Sequence, residues 1–217
     1  MPRVAGVDAC RGGWVAVVLE CGTFADTLFA PTFVGLLERL KDVAAIGVDI
    51  PIGLPAAGGR AADAAARVFV GPRRSSVFPT PPRQALLAAT YAEARALVPS
   101  LSAQSFALRQ KILEVEASVG DERVFEVHPE VSFVALAGGS HLHHPKRTWN
   151  GRTERRRLLA QQGIDLPDEV AADQAAPDDV LDAAAAAWSA MRVARGEART
   201  LPAEAPVQEG RVVAIWY

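Results

Sequence analysis

The stretch VAGVDACRGGW (Val4–Trp14) contains a run of small apolar residues, then a carboxylate at Asp8, then two glycines. Residues 3–9 and 13–20 are short, valine-rich runs, and the link between them contains glycine. Two such runs predict a β-hairpin, and a weaker run predicts a third strand over residues 23–30. Asp8 is then either a turn residue or a ligand at the end of the first strand, and taken alone it fits both roles equally.

A second apolar run, AAIGVDIPIGLP (Ala44–Pro55), is almost continuously hydrophobic up to its own carboxylate, Asp49. Such a run is typical of a strand that is buried on both faces, and Asp next to Pro and Gly is also ordinary turn chemistry. Between the hairpin and this strand, residues 32–43 carry apolar side chains at helical spacing, with Thr32 as the candidate N-cap.

The order of these elements predicts an α/β fold. We expect a mixed five-stranded sheet, with three antiparallel strands and then parallel crossovers, and with helices packed on both faces. A chain of 217 residues has the length of one domain. We therefore expect a single domain over residues 1–217, with a helical insertion at about 56–120.

The composition limits the function classes. The formal net charge is −2 at pH 7, which gives no global bias towards nucleic acid, so a polyanion would need a local basic patch. The two cysteines, Cys10 and Cys21, are too few for a disulfide framework or a zinc knuckle. No apolar run is long enough for a membrane span, and the first residues lack a signal-peptide pattern. We expect a cytoplasmic protein without membrane contact, and nothing in the sequence indicates a homo-oligomer.

The helical segment PDDVLDAAAAAW (Pro177–Trp188) supplies further carboxylates. Asp179 and Asp182 are three residues apart and share a helix face, whereas Asp178 is favoured as a cap at the helix start. Laid across the sheet, this helix would bring its acids to the two strand-end carboxylates. Two carboxylates about 5 Å apart repel by roughly 3 kcal/mol at an effective dielectric of 20, so such a cluster takes up protons or binds a divalent cation. Oxygen-only ligands favour Mg²⁺ or Mn²⁺, which act on phosphates.

Five blocks of the chain, in this order, resemble a family of uncharacterised prokaryotic proteins described as predicted nucleases with a ribonuclease H-like (RuvC-like) fold. The blocks are GVDACRGGW, GVDIPIGLP, FEVHPEVSF, KRTWNGRTERRRLL and DDVLDAAAAAW. Members of that superfamily place one Asp on the first strand, one acid on the fourth strand and one or two at the final helix. The resemblance implies a nuclease site with Mg²⁺ or Mn²⁺ bound by Asp8, Asp49, Asp179 and Asp182. The prolines shortly after Asp49 depart from the nucleases and would constrict such a site.

Two basic segments are candidates for binding the phosphates of nucleic acid. The candidate residues are Lys146, Arg152, Arg155 and Arg156 in and beside a basic helix, and Arg73 and Arg74 in a proline-stiffened loop. Trp149 is a candidate for stacking on a base. A solvated helix face and a rigid connector explain the two segments equally well, so both interpretations stay open.

The block FEVHPEVSF adds Glu126 and His128, which point the same way if residues 123–128 form a strand. Both are candidate catalytic residues, with His128 as a general acid or base or a metal neighbour. The alternative for His128 is a hydrogen-bonded structural histidine. The loop His141–His144 lacks the spacing of a metal site, and Cys10 lacks a neighbouring base that would make it a nucleophile.

Together these features predict a divalent-metal-dependent nuclease that hydrolyses phosphodiesters. One alternative is a non-catalytic binding protein that keeps the fold. The other is a small-molecule phosphohydrolase or phosphotransferase that uses the same acids.

Overall fold

The computed structural model describes residues 2–217. Its central sheet contains five strands: β1 (Val4–Cys10), β2 (Gly13–Glu20), β3 (Thr23–Ala30), β4 (Ala45–Val48) and β5 (Val124–Glu126). Their order across the sheet is β3-β2-β1-β4-β5. The first three strands are antiparallel, whereas β4 runs parallel to both β1 and β5. The prediction of an α/β fold around a mixed five-stranded sheet is confirmed.

Helices cover both faces of this sheet. They are α1 (Phe33–Arg39), α2 (Ala61–Phe69), α3 (Arg83–Leu86), α4 (Tyr91–Leu97), α5 (Ala103–Ala107), α6 (Arg109–Glu116), α7 (Pro129–Leu136), α8 (Trp149–Ala160) and α9 (Pro177–Ala194), with a 3-10 helix at Gly71–Ser76. Side chains alternate between the faces of a strand. Ala5 and Val7 of β1 therefore pack in one core with α1 and α6, whereas Val4 packs in the other with α7, α8 and α9.

The ends of the helices follow local sequence signals. The hydroxyl of Thr32 accepts a hydrogen bond from the Gly35 N–H at 3.2 Å, so Thr32 is the N-cap of α1, as the sequence predicts. Thr148 caps α8 in the same way, through the Gly151 N–H at 3.1 Å. In both caps the accepting side chain lies three residues before the residue whose N–H donates. This short separation is why the caps can be recognised in the sequence.

The segment between β4 and β5 contains α2 to α6 and the 3-10 helix. The interpretation of residues 56–120 as a helical insertion stays a prediction. The organisation as one domain stays a prediction. After α9, the chain forms the short strands β6 (Thr200–Leu201), β7 (Val207–Gln208), β8 (Arg211–Val212) and β9 (Ile215–Trp216). Among residues 2–217, no helix has the length and apolarity needed to cross a bilayer.

Candidate metal centre

The ends of two neighbouring parallel strands bring Asp8 and Asp49 together. Val7 of β1 lies opposite Val48 of β4, and the Asp49 N–H continues the ladder by donating to the Val7 carbonyl at 3.0 Å. Asp8 belongs to β1, and its Oδ1 accepts a hydrogen bond from the Ala9 N–H at 2.7 Å. Both carboxylates therefore stand at the same edge of the sheet.

Helix α9 adds the third carboxylate because it lies against the sheet at backbone contact distance. A Cβ added at Gly6 of β1 would lie 2.0 Å from the Ala187 nitrogen and 2.1 Å from the Ala183 carbonyl oxygen. Glycine on the strand and alanines on the helix are what permit this approach. Asp182 directly precedes the buried alanine run, so the same packing holds its carboxylate next to the strand ends.

One carboxylate oxygen each from Asp8, Asp49 and Asp182 lies within 4.8 Å of the others. Asp8 and Asp182 are buried, with exposed fractions of 8% and 3%, and Asp49 is half-buried. Within residues 2–217, no other group of His, Cys, Asp and Glu side chains approaches so closely, and this includes the loop His141–His144.

The three carboxylates perturb one another's protonation. Burial, followed by the charges of Asp49 and Asp182, raises the pKa of Asp8 well above its usual range. Burial raises the pKa of Asp49 to about 7 and that of Asp182 to about 6, and in both cases the charge of Lys146 opposes the rise. Near neutral pH this cluster therefore holds protons unless a cation neutralises it.

Lys146 places a positive charge on the cluster. Its Nζ donates to Asp182 Oδ2 at 2.5 Å, and its side chain is 38% exposed. Burial disfavours its charge, but Asp182, Asp49 and Asp8 outweigh that effect and raise the pKa of Lys146 above its usual range. Lys146 is one of the predicted phosphate-binding residues, and the structure places it at the acids.

The donor set fits a hard divalent cation. Three carboxylates offer oxygen ligands only, which suits Mg²⁺ or Mn²⁺, and such ions retain open positions for water and phosphate oxygens. Lys146 contacts Asp182 and does not supply a ligand, because an ammonium has no lone pair.

Asp179 lies beside this cluster and outside it. Its Oδ2 accepts a hydrogen bond from the Ala176 N–H at 2.9 Å, so Asp179, and not Asp178, closes the first turn of α9. Asp178 is buried and lies 3.7 Å from Arg147 Nε. The assignment of the cap to Asp178 is wrong because the side chain three residues into the helix reaches back to the free N–H. The ligand role of Asp179 stays a prediction.

The acids line a cavity of about 560 Å³. Its opposite wall comes from the segment between β4 and β5, through residues 72–78 and through Gln104 and Leu108. His128, Arg73 and Lys146 also line it. The carboxylates therefore stand inside a walled pocket.

Glu126 lines the same cavity but is occupied by a neighbouring arginine. Its Oε1 and Oε2 accept hydrogen bonds from Arg60 Nη2 at 2.6 Å and Nη1 at 2.7 Å, and Oε2 also accepts the Ile52 N–H at 2.7 Å. Arg60 also contacts Asp63, which in turn accepts the Thr80 N–H at 2.7 Å. This buried network ties the segment after β4 to β5, and a catalytic role of Glu126 stays a prediction.

His128 caps the start of α7, and its Nε2 lies 3.4 Å from the Ser76 carbonyl. Burial lowers the pKa of His128, so the ring is neutral at pH 7. Among the described residues, its buried Nδ1 has no hydrogen-bond partner.

Burial, Asp179 and Asp8 raise the pKa of the Cys10 thiol to about 11, so this thiol is not a thiolate at neutral pH.

The predicted basic patch separates into buried and exposed members. Arg155 is 1% exposed, and its Nη2 donates to both carboxylate oxygens of Glu130 at 2.8 and 2.9 Å. Arg156 is exposed and bonds the Leu166 carbonyl at 2.7 Å. Of these two arginines, Arg155 thus lies in the interior and Arg156 lies at the surface.

The remaining predicted phosphate ligands are also divided. Arg73 is half-buried, and its Nη2 donates to the Leu142 carbonyl at 3.1 Å and the His144 carbonyl at 2.5 Å. Arg74 is exposed and Arg152 is half-buried. The phosphate-binding roles of all of them stay predictions.

The sequence analysis did not single out Gly6, although a small residue inside a strand is a signal of close backbone packing.

A family model described as Protein of unknown function (DUF429) matches residues 6–207. The chain belongs to this family. The DUF429 match includes Asp8, Asp49 and Asp182 together with the whole of α9. Membership in an uncharacterised family, as the five sequence blocks indicate, is confirmed. Comparisons of this DUF429 chain with curated proteins and with solved structures found no match.

Proposed function

We propose that this protein is a divalent-metal-dependent nuclease with a ribonuclease H-like fold. The observation that carries the proposal is the convergence of Asp8, Asp49 and Asp182 within 4.8 Å at the carboxyl ends of β1 and β4 and the start of α9. First strand, fourth strand and final long helix are the positions that the resemblance implies for catalytic acids. The order β3-β2-β1-β4-β5 is consistent with it.

In this proposal the three carboxylates hold Mg²⁺ or Mn²⁺. When bound, such an ion supplies Lewis-acid activation of a water and neutralises charge at the phosphate. Asp8 and Asp182 are buried, and charges interact more strongly in such surroundings than in water. Lys146 stands beside them as a cation available to a phosphate oxygen.

A small-molecule phosphoester hydrolase is the second candidate, and the walled cavity favours it. A pocket of about 560 Å³ has the size of a small-molecule site, whereas an open groove would suit a duplex. The same acids and the same metal serve both candidates. A non-catalytic binding protein would use the cluster without hydrolysis.

Substitution of Asp8 tests the proposal, with Asp165→Asn as the matched control. Asp165 is exposed and lies outside the cluster. We expect Asp8→Asn to weaken Mn²⁺ binding by at least about tenfold, or ~1.4 kcal/mol, in calorimetric titration, and to lose Mn²⁺-dependent cleavage of single-stranded, duplex and RNA–DNA hybrid substrates. Asp8→Asn should unfold at or above the wild-type temperature, because Asn removes a carboxylate whose charge burial disfavours, and Asp165→Asn should unfold at the wild-type temperature. Cleavage by Asp8→Asn at the wild-type rate would refute the mechanism, and wild-type protein without Mn²⁺ binding would favour the non-catalytic alternative.

A further inference from the structure

We propose that the site binds one nucleotide-sized phosphate ester, either a free nucleotide or the terminal nucleotide of a single strand, and excludes the interior of a duplex. This inference rests on the proposed function, since it assigns the substrate class of the same site. It is carried by the shape of the cavity and by what holds its far wall in place.

The acids are recessed. Asp8 and Asp182 expose 8% and 3% of their surface, and both line the cavity of about 560 Å³. This volume lies within the range of about 300–1,000 Å³ that is typical of pockets for small molecules and cofactors. A base in the middle of a duplex enters a pocket of this size only after it is unpaired and turned out of the helix, whereas a free nucleotide or a strand end needs no unpairing.

The far wall is anchored at several points. It comes from the segment between β4 and β5 and includes Val77, whose carbonyl accepts a hydrogen bond from Arg67 Nη1 at 2.6 Å. On one side, Arg73 bonds two carbonyls of the loop that leads to Lys146. On the other side, Thr80 is held by Asp63, which belongs to the buried network with Arg60. Because polar contacts fix both ends, and those of Thr80 with Asp63 are buried, the wall limits the size of what can enter.

The lining matches a phosphate ester with an apolar body. Lys146 and Arg147 provide positive charge at the acidic end, and the Arg147 side chain is 84% exposed at the mouth. Phe78, Leu108 and Ile215 offer apolar surface in the same cavity, as a base or another flat group requires.

The reaction balances without a further reactant. A water oxygen forms a bond to phosphorus while the bond from phosphorus to the ester oxygen breaks. The water gives up one proton and the leaving oxygen gains one, so no oxidant, reductant or acceptor other than water is needed.

The test uses a variant that narrows the pocket without touching the acids. Gln104 lines the cavity wall and is exposed, and Leu97 is exposed elsewhere in the same segment. We expect Gln104→Trp to weaken binding of nucleoside monophosphates and of a short single-stranded oligonucleotide at least tenfold, while its Mn²⁺ affinity equals that of the wild type. Leu97→Trp should bind all of these like the wild type. Calorimetric titration measures each affinity in the presence of Mn²⁺.

Cleavage assays with Mn²⁺ then separate the two sources of the nucleotide. Hydrolysis of free nucleotides identifies a small molecule as substrate, and release of mononucleotides from linear strands identifies the strand end. Covalently closed circles, single-stranded or duplex, should stay intact.

Three results would overturn the inference: cutting of closed circles, unchanged nucleotide affinity in Gln104→Trp, or no nucleotide binding by the wild type. If nucleotides bind and Gln104→Trp blocks them while no phosphoester is hydrolysed, the proposed function fails and the ligand class stands. If Mn²⁺-dependent cleavage occurs but closed circles are cut, the inference fails and the proposed function stands.

Discussion

The substitution Gly6→Ala should damage the candidate metal centre without changing any of its carboxylates. Gly6 lies in β1, two residues before Asp8, and faces the backbone of α9. An added Cβ would lie 2.0 Å from the Ala187 nitrogen, 2.1 Å from the Ala183 oxygen and 2.5 Å from the Ala186 carbonyl carbon. All three neighbours are backbone atoms of one helix, so no side chain can rotate away to make room.

The size of the effect follows from these distances. Unbonded heavy atoms pack at about 3.5–4.0 Å, so α9 must retreat from β1 by about 1.5–2 Å. Overpacking of this kind costs about 1–3 kcal/mol, and each kcal/mol lowers the Tm of a chain of this length by about 2–4 °C. The retreat also carries Asp182 away from Asp8 and Asp49. Because metal ligands must lie within a few tenths of an ångström of their ideal distance, Mn²⁺ affinity should fall at least about tenfold.

Calorimetric titration with Mn²⁺ and thermal unfolding with and without the ion measure both effects. Gly120→Ala is the matched control, since a Cβ at Gly120 meets nothing within 4 Å. It should behave like the wild type in both measurements. A Gly6→Ala protein with wild-type Tm and wild-type Mn²⁺ affinity would refute the claim that close packing of α9 positions Asp182.

Two further predictions concern buried charges. Burial, opposed by Lys146, raises the pKa of Asp49 from 3.8 to about 7. Between about pH 4 and 7 the metal-free folded protein therefore binds more protons than the unfolded chain. Its stability then falls as the pH rises through that window. Each tenfold change in proton affinity corresponds to about 1.4 kcal/mol, so the charge of Asp49 destabilises the folded state by at most about 4 kcal/mol, and partial exposure reduces this value. Asp49→Asn should therefore raise the free energy of unfolding by about 1–3 kcal/mol at pH 8. Urea unfolding across pH measures this gain, and a pH profile as steep as that of the wild type would contradict it. Arg155→Met should destabilise by about 3–5 kcal/mol because it removes both hydrogen bonds to the buried Glu130 carboxylate and leaves it with Arg73 Nη1 at 3.8 Å. Arg156→Met should change stability by about 0–1 kcal/mol. An equal decrease in the free energy of unfolding in the two variants would show that the buried Arg155–Glu130 pair stabilises the fold no more than the exposed Arg156 does.

The parts of the fold that the sequence predicted depend on near neighbours in the chain. The strands alternate or stay apolar according to the faces they bury, and Thr32 caps α1 through a residue three positions away. The positions of Asp8 and Asp49 at strand ends follow from where the apolar runs stop. Periodicity and capping are local, so they can be recognised without knowing the partner elements.

The basic helix shows where local information ends. Arg152, Arg155 and Arg156 share a helix face by spacing alone, yet Arg155 is buried on Glu130 and Arg156 is exposed. Spacing gives the direction of a side chain relative to its own helix. Whether that side chain is buried depends on which other elements pack against that side of the helix. The same holds for Glu126, an apparent catalytic candidate in the sequence whose oxygens are taken by Arg60, 66 residues away.

The sequence by itself determined which carboxylates stand at the ends of apolar strands and at the start of the alanine-rich helix. Only the tertiary structure decided that Asp182 joins Asp8 and Asp49 while Asp179 turns back to cap α9, and that Lys146, 36 residues before Asp182, neutralises it. It alone also decided that the cluster lines a cavity of about 560 Å³. The reason is physical: strand ends and helix starts are set by local backbone preferences, whereas the partner of a charge is set by which faces the packed core brings within a few ångströms.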